Sequence, residues 1–114
     1  MLGRQEGQAV SRDLVRQMRN TVSHGLALEA SEESLERAQL AAAQLLERSV
    51  ALGHRRLSVV RLSVAAQCGA AVPLAHWNYC YSVARSSGDP RIRTLFLDAA
   101  HAAQQEFCLP AARV

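Results

Sequence analysis

The stretch that decides the fold runs Gly53-His54-Arg55-Arg56-Leu57-Ser58-Val59-Val60-Arg61-Leu62-Ser63-Val64-Ala65-Ala66-Gln67-Cys68-Gly69. Its middle, Val60-Arg61-Leu62-Ser63-Val64, alternates apolar with polar as a half-buried strand does, and the segment is rich in β-branched residues. A lone strand has nothing to pair with, and the chain offers it no partner. On a helical period the same residues bring Leu57, Val60, Val64 and Cys68 to one face, and Gly69 supplies a left-handed stop. The stretch is therefore read as a buried helix over 54–68.

Immediately upstream, Ser31-Glu32-Glu33 is a helix start, because the hydroxyl can cap an orphan N–H and the carboxylates meet the positive end of the dipole. A stripe of Leu35, Ala38, Ala42, Leu45 and Leu52, widened by Leu46 and Val50, predicts a helix over 32–52 closed by Gly53. Before it, Val10, Leu14, Met18 and Val22 recur every fourth residue and predict a helix over 11–24 ending at Gly25. Residues 1–9 hold two glycines and two glutamines without apolar periodicity, and read as a loose tail. Downstream, Leu74, Trp77, Tyr81 and Ala84 predict a helix over 73–87, and Asp89-Pro90 opens a fifth over 90–108 that buries Ile92, Leu95, Phe96, Ala99, Ala103 and Phe107. Residues 110–114 follow as a second tail. The expectation is one all-α domain over 10–109, with about five helices in stacked antiparallel hairpins, either tetratricopeptide-like or a small bundle.

The glycine stops are 16 residues apart from Gly53 to Gly69 and 19 from Gly69 to Gly88, a unit of 35. This is close to the period of about 34 residues of tetratricopeptide repeats, and Ala75, Tyr79 and Ser82 fall at that repeat's small, aromatic and small positions. Only Leu62 matches in the helix before.

Ser87-Gly88-Asp89-Pro90-Arg91-Ile92-Arg93-Thr94, Trp77 with Cys80, and Arg61-Leu62-Ser63, in a chain of this length, resemble the tetratricopeptide-like chaperones that hold the needle subunit of bacterial type III secretion systems. The likeness covers about a quarter of the chain, and the separations between the patches differ from that family's. It implies a cytoplasmic chaperone that buries a partner helix in a concave groove.

Composition narrows the function classes. The chain of 114 residues is long enough for one core and too short for two. All 13 basic residues are Arg, against 10 acids, for a net charge of +3, and 49% of residues are hydrophobic. That is the composition of a globular domain and not of a disordered or densely basic one. Arg without Lys, with abundant Ala, suggests a GC-rich, bacterial coding sequence. The sequence shows neither a long apolar window nor the layout of a signal peptide at its start, which predicts a cytoplasmic protein without a membrane partner. Cys68, Cys80 and Cys108 form no Cys-x-x-Cys pair and read as reduced thiols.

Chemistry is sparse. His76 and Cys80 stand four apart, and His101 and Cys108 two turns apart, a set that could in principle reach one metal ion. Buried thiols and surface histidines hydrogen-bonded on a helix are the stronger account of them, and no metal or cofactor is expected. Glu29, Glu32, Glu33 and Glu36 crowd a helix start and serve its dipole. Phosphate loops and nucleophile elbows are lacking, so a non-enzymatic role is expected.

Two binding readings remain. Val64-Ala65-Ala66-Gln67-Cys68-Gly69 has the small residue before a turn glycine that a helix-turn-helix DNA reader requires, and Arg55, Arg56 and Arg61 could contact phosphates or an acidic partner. The following helix would nevertheless offer Pro73, Leu74, Ala75, His76, Trp77 and Asn78 to base edges, with no Arg among them. Three of the five aromatic residues lie within Trp77–Tyr81, and Tyr79 points away from Tyr81, so one core cannot bury them all. Trp77, Tyr79, Tyr81 and His76 are therefore expected to form a surface for another protein or for a second copy in a homodimer. Protein binding leads, with a small helix-turn-helix DNA-binding regulator as the alternative.

Overall fold

The computed structural model describes the backbone of residues 2–25 and 31–110. The expected C-terminal tail, apart from Pro110, and Glu29 of the acidic cluster lie outside these residues. Five helices follow one another: α1 (Leu2–Gly25), α2 (Glu32–Ala51), α3 (Arg55–Gln67), α4 (Leu74–Ser86) and α5 (Pro90–Ala102), and no strand occurs among the described residues. Each helix packs on the next in the chain, and α3 also packs along α5.

The helix ends follow local chemistry. Ser31 Oγ accepts from the Ser34 backbone N–H at 3.2 Å, and Asp89 Oδ1 accepts from the Arg91 N–H at 2.9 Å. At Gly53 (φ 70°) and Gly69 (φ 76°) the chain enters the left-handed region that favours glycine. In both places the following N–H returns to the last turn, His54 to Ser49 O and Ala70 to Ala65 O, each at 2.9 Å, completing a Schellman closure. Gln39 braces the second turn by donating from Nε2 to Cys68 O at 2.9 Å.

Three expectations need correction. The first is the start of α1: it begins at Leu2, so the backbone of residues 2–9 continues the helix expected to start near Ser11. Its inward side chains include Val15, Met18 and Val22, whereas Leu14 is exposed.

The second is the face of α3. Leu57 and Val60 point outward, and the buried residues are Ser58, Val59, Leu62, Ser63, Ala65 and Ala66. The reason is position: α3 is packed by α2, α4 and α5 and so cannot have one apolar stripe. Its buried serines are satisfied locally, Ser58 Oγ donating to His54 O at 2.6 Å and Ser63 Oγ accepting from Gln67 Nε2 at 3.1 Å.

The third is the end of α5. It stops at Ala102 and not near 108, because Gln104 takes φ 55° and Gln105 N–H bonds back to Ala100 O at 2.8 Å, a Schellman closure without glycine. The chain then folds back across α4 and α5. Arg93 donates to Pro110 O and Tyr81 Oη to Cys108 O at 3.0 Å, seating Phe107 against Trp77, Tyr81 and Phe96 with ring centroids 5.2 to 5.8 Å apart.

Candidate functional site: a groove between the first and third helices

Helices α1 and α3 both lean on α2, yet no Cα of one comes within 8 Å of a Cα of the other. The gap is a groove with α2 as its floor. It holds two hollows of about 230 Å³ each. One lies among Arg19 and Val22 of α1, Ala42 and Leu45 of α2, and Arg61 and Val64 of α3. The other lies among Val15, Leu45, Arg48, Ser49, Leu52, His54, Leu57 and Arg61. They meet at Leu45 and Arg61. Leu52 is 55% exposed and Leu57 38%, so an apolar lip stands open beside an apolar floor.

Three guanidinium-bearing side chains line this surface: Arg19 on α1, Arg48 on α2 and Arg61 on α3. Arg61 leaves α3 half-buried, and its Nε is enclosed without a hydrogen-bond partner. Burial first, and then the nearby Arg19 guanidinium, lower the Arg61 pKa from its ordinary value, since both disfavour the charged form. Neither Arg19 nor Arg61 is paired with a carboxylate among the described residues; the ion pairs Arg37–Glu33 and Arg56–Asp89 lie elsewhere.

The structure divides the three arginines singled out in the sequence. Arg61 belongs to the groove. Arg55 donates from Nη2 to Ser86 Oγ at 3.1 Å and Arg56 pairs with Asp89, so both are tied to the corner between α4 and α5.

The aromatic surface expected on α4 also divides. Trp77 is only 3% exposed, its ring 6.1 Å from Phe96 and 5.8 Å from Phe107, which makes it a core residue and corrects its expected role as a binding residue. Tyr81 is half-buried in the same cluster, 5.9 Å from Phe96 and 5.4 Å from Phe107. Tyr79 is half-buried against the core, and His76 is half-buried with Nδ1 enclosed and unpartnered. For Trp77 and Tyr81 the cause is that Phe96 of α5 and Phe107 of the returning segment close over their side of α4.

No three His, Cys, Asp or Glu side chains gather as a metal site among the described residues. Cys80 is buried, which pushes its thiol pKa up to about 12, and burial raises that of Cys68 as well. Both are protonated thiols and poor nucleophiles at neutral pH. No described helix is long and apolar enough to cross a membrane.

Periodicity did not single out Arg19, Val15 or Val22 as site residues, because their importance arises only where α1 faces α3. Arg61 carried a faint signal as the one charge within Leu57–Val64. Compared with known protein families, curated proteins and solved structures, the chain matches none of them.

Proposed function

We propose that this protein is a non-enzymatic binding module that receives an amphipathic helix of another protein in the α1–α3 groove, as a chaperone or adaptor would. One observation carries the reading: an open, largely apolar groove with exposed Leu52 and Leu57 at its lip and, on its two walls, Arg19 and Arg61, which no carboxylate among the described residues pairs. Each hollow is smaller than the roughly 300–1,000 Å³ of sites that enclose small molecules, and its size suits individual side chains projecting from a helix. The packing of α2 on α4 and of α3 on α5 supports a stacked-hairpin arrangement, which leaves such grooves between successive helices. The role agrees with what the resemblance to needle-subunit chaperones implies, although it rests on the groove.

The test is copurification with co-expressed neighbouring proteins, followed by paired substitutions. Leu57→Arg should release the partner, whereas Leu74→Arg, at a still more open leucine on α4, should retain it. Retention by Leu57→Arg would refute the groove. Micromolar, steeply salt-dependent binding of random duplex DNA would favour the regulator reading instead.

A further inference from the structure

We infer that the groove is selective for a helix bearing a carboxylate, with a glutamate or aspartate of the partner entering between Arg19 and Arg61 while its apolar neighbours fill the two hollows. This rests on the proposed groove and specifies the chemistry of its occupant. Arg61 stands where the hollows meet, so a residue that reaches it has Val22, Ala42 and Val64 on one side and Val15, Leu52 and Leu57 on the other. Its Nε–H is enclosed and unsatisfied, and Arg19 places a second positive charge on the opposite wall of the same hollow.

Two like charges with no carboxylate paired to them among the described residues repel each other, and one carboxylate between them relieves that. Its two oxygens match the forked donors of guanidinium groups. The rest of the lining is Val22, Ala42, Leu45 and Val64, with Ser23 the one further polar side chain. It offers few further donors for the additional oxygens of a phosphate, whereas a carboxylate on a short aliphatic stem brings apolar atoms to that lining.

The proposal is tested with a labelled helical peptide carrying leucines at i, i+3 and i+7 and one glutamate at i+4, compared with its glutamine isostere by fluorescence anisotropy. The glutamate peptide should bind about tenfold or more tightly, as expected for hydrogen bonds to a charged partner. Arg61→Gln and Arg19→Gln should each reduce it towards the affinity of the glutamine peptide. Arg19 is exposed, so its substitution tests the clamp even where Arg61→Gln disturbs folding.

Equal affinity for the two peptides would overturn the carboxylate assignment while leaving the groove standing. Binding of neither would overturn both. Displacement of the glutamate peptide by duplex DNA would overturn the carboxylate assignment. A concentration-dependent dimer in sedimentation that Arg19→Gln dissociates would make a second copy the occupant and overturn the separate partner.

Discussion

Replacing Trp77 by alanine is the most severe test of how this small domain holds together. Trp77 is 3% exposed and touches Phe96 edge-on, with planes 77° apart, and Phe107 nearly face to face at 21°. Burial of so large an apolar group makes its truncation cost about 3–5 kcal/mol. About 0.5–1.5 kcal/mol of that belongs to each of the two ring contacts. The upper half of the range is expected, because Phe96 and Cys80 beside the vacated space are fully buried and have little room to collapse into it. Against a total stability of about 5–15 kcal/mol for a single domain this is a large share. At about 4 °C per kcal/mol for a domain of this size, the midpoint should fall by roughly 16–20 °C.

The assay is thermal and urea unfolding followed by far-ultraviolet circular dichroism, since the substitution removes the only tryptophan. Trp77→Phe should recover most of the loss. Tyr79→Ala, at a half-buried ring outside the aromatic cluster, should cost about 1–2 kcal/mol. A loss below about 1 kcal/mol for Trp77→Ala, or a loss for Tyr79→Ala equal to it, would refute the assignment of Trp77 to the core.

Further outcomes follow from the helix ends and thiols. The Arg91 N–H first, and then Arg56, hold the Asp89 carboxyl below its ordinary pKa. Its stabilising effect is therefore complete above the unfolded value near 3.8 and is lost as pH falls through the lower folded value. Asp89→Asn should flatten that acid limb in melting curves recorded across it, and an unchanged limb would contradict the assignment. Gln104, at φ 55°, should be improved by glycine; Gln104→Gly is expected to add about 0.5–1 kcal/mol in urea unfolding, and a loss would count against the left-handed closure of α5. Of the three cysteines, only Cys108 is exposed, so a chromogenic disulfide reagent should titrate one thiol rapidly in the native protein and three after denaturation. Rapid labelling of Cys80 would show that its helix opens readily.

What the sequence determined by itself is the set of helices and most of their ends. Ser31, Gly53, Gly69 and Asp89-Pro90 act on backbone groups within a turn of themselves, so their effect can be read without knowing the rest of the fold. The short Gly53–Gly69 stretch was legible as a helix for the same reason. Its inward face was not, since α3 is enclosed by three neighbours and its serines are satisfied by its own turns. Nor was the end of α5, where Gln104 adopts a conformation that glycine would announce and the returning segment is held by Tyr81 and Arg93. Trp77 was recognisable as part of an apolar stripe, but whether it met a partner or its own chain depended on where Phe96 and Phe107 came to rest. The groove is a tertiary feature throughout. Arg19 and Arg61 are 42 positions apart in the chain, and only the shared packing of α1 and α3 on α2 sets their charges across one apolar hollow.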